Sequence, residues 1–424
     1  MRSLAPATSI ALPAVLPPAC GDRLPTVSTV TEVNDTIPWR RLTVRCATLL
    51  LVLLAACHTP EGPSGTASLS GTVRSADPSA PLAGVTITIG EKNATSDADG
   101  LFELTDVQTG AVTVRAERPG YQPAEAAVTL AEGSNSHDFA LAALEIYLLG
   151  SQAVYVPAGG GPLRGAIVVL GGPNTSGFVT GETIAQQPDA SGLEARLQAV
   201  GASLRAFARS EHVALLGSSR APFENSVTSD ELLFTSLLTA GELSGRPELA
   251  NAPVLMYGMS GGAREAAGLV SRNPARVVGL LGWVPAGVTA LTAPDALAVP
   301  TLIIQAEDDG NFNVTIQTQF SEHRSRGGLW ALVIEPEVEH ASATSAASNT
   351  GIGWMRTVLT LRLPDTPGGP LVALAQASGW LGNQVTGEIA SWDSYPGART
   401  SASWLPSESA ALSWKALGTS GAAQ

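Results

Sequence analysis

Lysine is nearly absent from this 424-residue chain, which carries only Lys92 and Lys415. With 24 basic against 37 acidic residues and a formal charge of −13, the chain is poorly suited to a nucleic-acid backbone, and nucleic acid is excluded as a partner. Charged residues of both signs make up 14% and apolar ones 44%, a balance that fits a packed core and argues against disorder. Cysteine occurs at Cys20, Cys46 and Cys57 and nowhere later. Histidine is restricted to His58, His137, His212, His323 and His340, which form no metal-binding cluster, and no cofactor signature is present. The apolar run from Ala47 to Ala56 is about half the roughly 20 residues that a membrane-spanning helix needs. The length, in contrast, exceeds one ordinary domain and predicts two domains with extra segments.

Arg40, Arg41 and Arg45 precede that apolar run, and small residues follow it, which together describe a secretory signal. "LAAC" (54–57) resembles the lipobox of bacterial lipoproteins, in which the cysteine is lipidated and becomes the new N-terminus. The resemblance implies a signal over 37–57, lipidation at Cys57, and membrane contact through the lipid. Because His58 rather than aspartate follows, it implies the outer membrane. An ordinary signal cut near Ala56 is the other reading. Cleavage before Cys57 removes Cys20 and Cys46, so no disulfide and no catalytic cysteine would remain. Residues 1–36 are proline-spotted and lack signal character, and they are expected to be a non-native or disordered extension. Residues 58–67 read as a polar tether.

Short alternating stretches at 68–76, 84–90, 101–107, 111–117 and 125–130, with turns such as "DADG" (97–100), predict a small all-β sandwich over 68–143. "SGTV", "PLAGVTI" and "TSDADGLFEL" resemble the carboxypeptidase regulatory-like domain, a transthyretin-like module, which implies a spacer or binding role. Asp97 and Asp99 sit in the wrong frame for a calcium loop, since Gly100 comes too early and Gln108 stands where a glutamate is needed. A solvated β-turn is expected there.

Over 144–365 the pattern becomes α/β. Apolar runs at 152–158, 165–172, 212–219, 253–260, 277–284, 300–308 and 330–338 suit strands buried on both faces of a mostly parallel sheet. Helical stretches at 190–209, 228–243, 262–272 and 314–326 lie between them. Gly258, Ser260 and Gly262 form G-x-S-x-G between a buried strand and an alanine-rich helix, the context a nucleophile elbow requires. A serine hydroxyl needs a base, and His340, just past the last strand, is the candidate. His323 lies in a polar helical stretch and reads as part of a solvated face. Glu307, Asp308 and Asp309 follow the preceding strand and supply the acid that orients the imidazole.

The order Ser260, Asp309, His340 resembles the α/β-hydrolase superfamily, most closely its esterases and polyhydroxybutyrate-depolymerase-like or feruloyl-esterase-like members. The resemblance implies an α/β-hydrolase fold and singles out Asp309 as the acid, with Asp308 the alternative. It also implies an oxyanion site built from the amide of Gly261 and a donor in "LGGPNTSG" (170–177). Pro173 has no N–H to give, so that second donor falls to Gly172 or Asn174. Two functions follow: a lipid-anchored extracytoplasmic serine hydrolase acting on a small or polymeric ester, or a weak or inactive relative serving as a binding or scaffold module. The tail, 366–424, holds Trp380, Trp392, Trp404 and Trp414, read either as packing anchors or as a wall of the substrate pocket.

Overall fold

Period-two alternation builds the first part of the chain. The computed structural model describes residues 65–76, 79–159, 161–171, 174–182, 193–219, 227–340, 342, 344–366 and 368–418. The expected extension (1–36) and signal (37–57), with Cys57, lie outside the described residues, as do Gly172 and Pro173. Eight strands form a two-sheet sandwich: β1 (Thr66–Ser75), β2 (Thr86–Ile89), β3 (Lys92–Thr95), β4 (Leu101–Gln108), β5 (Gly110–Glu117), β6 (Ala124–Leu130), β7 (Gly133–Ser136) and β8 (Phe139–Leu141). In one sheet β1 pairs antiparallel with β4 and parallel with β7 and β8; the other runs β3-β2-β5-β6, antiparallel throughout. Leu69, Val73, Ile87, Phe102, Val114 and Leu141 close the core between them.

The spacing of Phe102, Leu104 and Val107 breaks the alternation, yet all three are buried. Ala67 pairs with Val107 and Leu69 with Leu104, so Thr105 and Asp106 together face Ser68 in a β-bulge. Asp106 makes the kink at φ 56° and returns Val107 to the core face. In the "DADG" turn, Asp97 Oδ1 accepts the amides of Asp99 (2.9 Å) and Leu101 (2.8 Å), so the carboxylate caps its own turn.

The second part is a three-layer α/β unit. Its strands are β9 (Ile146–Leu149), β10 (Gln152–Tyr155), β11 (Gly165–Leu170), β12 (Val213–Ser218), β13 (Val254–Met259), β14 (Val277–Trp283), β15 (Thr301–Ala306) and β16 (Trp330–Glu335). They lie in the order β16-β15-β14-β13-β11-β12-β10-β9. Strands β11 to β16 run parallel, whereas β10 is antiparallel to both β12 and β9, so the sheet is mixed rather than uniformly parallel at that end. The helices are α1 (Ser176–Thr180), α2 (Leu193–Glu211), α3 (Val227–Ser244), α4 (Gly262–Arg272), α5 (Pro294–Leu297), α6 (Asn311–Ser325), α7 (Ser345–Arg362) and α8 (Glu408–Gly418). Leu204 of α2, Met355 of α7 and Trp414 of α8 pack on one face. Leu237 of α3, Ala266 of α4 and Phe320 of α6 pack on the other. The helices that follow the adjacent strands β11 and β13 therefore pack on opposite faces of the sheet.

His323 departs from the solvated-face expectation: it is buried and stacks on Trp330 with ring centroids 3.9 Å apart. Its Nε2 accepts the Leu291 amide (2.9 Å) while Nδ1 donates to the Gln319 carbonyl (2.5 Å), which satisfies a neutral ring. In the tail, β17 (Trp380–Gly382), β18 (Ile389–Ser391) and β19 (Ser403–Leu405) form a small antiparallel sheet. Trp404 Nε1 donates to the Gln376 carbonyl (2.9 Å) and Trp414 Nε1 to that of Leu332 (2.6 Å). Both rings are buried, as packing anchors require. The buried Arg324 guanidinium donates to the carbonyls of Ala402 (2.5 Å) and Arg399 (2.6 Å), fastening the tail to α6.

Candidate active site

Gly258 and Gly262 are glycines because three backbones meet there. A Cβ on Gly258 would lie 2.5 Å from Ala263 Cα, and one on Gly262 2.3 Å from the Leu170 carbonyl carbon of β11. Between them the chain reverses from strand to helix with Ser260 at φ 49°. A left-handed serine costs roughly 1–2 kcal/mol, so its surroundings must hold it. They do: Ser260 N donates to the Trp283 carbonyl (3.0 Å), and the Ser260 carbonyl accepts the amides of Ala263 (3.2 Å) and Ala286 (3.4 Å). Val284, directly after β14, is itself strained at φ 40°.

The residues expected as base and acid, His340 and Asp309, stand on the loops that follow β16 and β15. His340 Nε2 is 2.9 Å from Ser260 Oγ, and His340 Nδ1 is 2.7 Å from Asp309 Oδ1 and 2.9 Å from Oδ2. Asp309 is buried; His340 and Ser260 are half-buried. With Nδ1–H donated to the carboxylate, Nε2 is left to accept from the serine. The loops are laced together: Glu307 N donates to Glu335 O (3.0 Å), Asp308 N to Val338 O (3.0 Å), and Glu337 N to Glu307 Oε2 (2.9 Å). Ser342 Oγ accepts from Glu339 N (3.2 Å), and Ser342 N donates to Glu339 O (3.1 Å), closing the turn that carries His340. Asp308, the alternative acid, is exposed. Phe312, at the start of α6, lies 5.8 Å from the His340 ring and is 40% exposed, which gives the mouth an apolar wall.

Gly261 stands at the N-cap of α4 with φ −59°, and nothing would meet a Cβ added to it within 4 Å. The first amides of a helix have no partner inside it and carry its positive dipole end, so this position suits a developing oxyanion. Gly171, at φ 131°, is pressed so close to Met259 that a Cβ would lie 2.4 Å from its carbonyl oxygen. The Asn174 side chain accepts the Ser176 hydroxyl. The expected donor Gly172 lies outside the described residues. Gln305, buried on β15, was not singled out by the sequence reading; its Nε2 donates to Asp309 Oδ2 at 2.5 Å. The signal was a carboxamide inside the otherwise mostly apolar run "TLIIQA". Among the described residues no group of three or more His, Cys, Asp or Glu side chains is placed to hold a metal ion, and no helix is long and apolar enough to cross a membrane.

Comparison with known proteins separates the two parts. Residues 68–142 match the carboxypeptidase regulatory-like domain, which is the β-sandwich. No curated protein matches the chain. Among solved structures, the chain is similar to a type II cohesin–X-dockerin complex from Acetivibrio cellulolyticus, at 26% identity over 17% of this chain and 52% of that one, with TM-score 0.16. It is weakly similar to a thermostable esterase, at 9% identity over 69% of this chain and 98% of that one, TM-score 0.36. A second weak likeness is to esterase PE8, at 15% identity over 51% and 100% of the two chains, TM-score 0.34. The chain spans about half the length of the first of these structures.

Proposed function

We propose that this chain is a serine hydrolase of the α/β-hydrolase type that cleaves carboxylic esters through an acyl-enzyme intermediate. The observation that carries the proposal is the unbroken line Ser260 Oγ, His340, Asp309, joined at 2.9 and 2.7 Å with the serine on a strained elbow. His340 Nε2 takes the hydroxyl proton as Ser260 Oγ bonds to the ester carbonyl carbon. The tetrahedral oxyanion rests on the Gly261 amide, with Gly172 proposed as second donor. Collapse breaks the bond to the leaving alcohol, which receives the proton from His340. Water, deprotonated by His340, then attacks the acyl-enzyme, freeing the acid and restoring Ser260. Asp309 holds the Nδ1–H tautomer and offsets the charge of the imidazolium throughout. The exposed ring of Phe312 favours esters with an apolar group beside the scissile bond.

Lipidation at Cys57 and residence in the cell envelope, with membrane contact through the lipid, complete the reading. A second reading, a module that binds without efficient turnover, is favoured by Pro173 alone, since a missing oxyanion donor costs roughly 100- to 1000-fold in rate. A fluorophosphonate probe separates the two because it labels an activated serine whatever the substrate. Labelling that Ser260→Ala abolishes, together with turnover on a panel of esters, supports the hydrolase. Absence of labelling in the folded wild-type protein overturns it.

A further inference from the structure

Gln305 occupies a position where chemistry and stability pull in different directions. It is 1% exposed, in a strand whose other residues are all buried as well. Its Nε2 donates to Asp309 Oδ2 at 2.5 Å, while its Oε1 is buried without a hydrogen-bond partner. A buried acceptor left unmade costs on the order of 1–3 kcal/mol, which offsets much of what the hydrogen bond to the Asp309 carboxylate contributes. The Asp309 carboxylate is buried too; the imidazole Nδ1 lies against both of its oxygens, and the Gln305 amide adds a second donor to Oδ2. Gln305 sits on rigid β15, whereas Asp309 lies on the loop beyond it.

We infer that Gln305 is a positioning residue. Its amide fixes the Asp309 carboxylate in the plane that receives His340 Nδ1–H, and it takes up part of the carboxylate's charge. This rests on the serine-hydrolase reading and extends its hydrogen-bonded line by one side chain, Gln305–Asp309–His340–Ser260. The amide does not touch substrate; it acts through Asp309. Without it the carboxylate can swing on its loop, and an error of about 1 Å at a reacting group costs on the order of 100-fold in rate. The charge it no longer shares falls entirely on the imidazole, which then holds its proton to higher pH.

Two variants of the full chain test this. Gln305→Leu removes both the donor and the unmade acceptor; Gln305→Glu keeps the size but sets a carboxylate against a carboxylate. The readout is the second-order rate of fluorophosphonate labelling across pH, with thermal unfolding measured alongside. Gln305→Leu is expected to label about 10- to 100-fold more slowly at neutral pH, with its acid limb displaced to higher pH and its melting temperature little changed. Gln305→Glu is expected to be slower still. Labelling of Gln305→Leu at the wild-type rate with an unmoved profile overturns the inference while leaving the hydrolase reading intact. Rates that simply follow melting temperature across the variants also overturn it, since that marks a structural role alone. Absence of Ser260-dependent labelling in the wild type overturns both.

Discussion

On the serine-hydrolase reading, Ser260 gives up backbone comfort to present its hydroxyl. Replacing it by glycine would relieve the left-handed conformation while deleting the proposed nucleophile, so Ser260→Gly is expected to lose all hydrolysis yet gain roughly 1 kcal/mol of stability. Denaturant unfolding beside an ester assay checks both signs. The neighbouring glycines divide in the same manner. Gly262→Ala drives a methyl into the β11 backbone and is expected to cost more than about 2 kcal/mol, whereas Gly261→Ala enters open space and leaves the melting temperature nearly unchanged. Asp309→Asn is expected to lower kcat by about 10,000-fold through loss of the correct histidine tautomer, and Asp308→Asn to be close to silent; steady-state kinetics decide it. Two buried groups outside the Ser260–His340–Asp309 line contribute to the pH dependence of stability with opposite signs. Burial lowers the His323 pKa below its ordinary 6.5, so the unfolded chain binds the proton more readily and stability is lost as pH falls through that value. Burial, helped by nearby Asp230, raises Glu265 from 4.5 to about 7, so its contribution is present below about 4.5 and is lost as pH rises toward 7. Glu265→Gln should therefore remove a loss of stability that sets in as pH rises from about 4.5 to 7, and His323→Phe a loss that sets in as pH falls through 6.5, as denaturant midpoints across pH will report.

At the scale of elements, legibility followed signal strength. The long buried strands and the elbow were readable because continuous apolar runs and a glycine-flanked serine are constraints that sequence expresses locally. Strand β7, "GSNS", was not, because four small polar residues carry no period and pair only where β1 offers an edge. Strand β9 was missed too, and with it the antiparallel end of the sheet, since strand direction is set by chain connection rather than by composition. His323 was misread because a polar helix segment hides one buried ring, and only the tertiary neighbours Leu291 and Trp330 reveal it. The tryptophan tail was ambiguous for a related reason: its purpose lies in strand β16. That edge of the main sheet would expose unpaired backbone groups, but Ser403 Oγ reaches the Leu332 amide (3.1 Å) and Trp414 its carbonyl. Trp414→Ala is therefore expected to destabilise by about 3–5 kcal/mol and to promote self-association through β16, measurable by thermal unfolding and light scattering.

For the whole molecule, the pairing of β1 with β8 has a mechanical meaning. Strand β1 is the first described strand of the sandwich and β8 the last before the chain crosses to β9, and the two lie side by side in parallel register over Val73–Ser75 and Phe139–Leu141. Tension applied between β1 and the main sheet enters β1 from its start and leaves β8 from its finish. Parallel neighbours pulled from opposite ends slide along one another, so their hydrogen bonds are loaded together in shear instead of opening one at a time like a zip. On the far side the load passes into β9 at the rim of the main sheet, whereas Ser260 hangs from β13, with β11, β12 and β10 between. A pull on the chain ahead of β1 would thus load the sandwich and the sheet's rim before it reached β13 and Ser260.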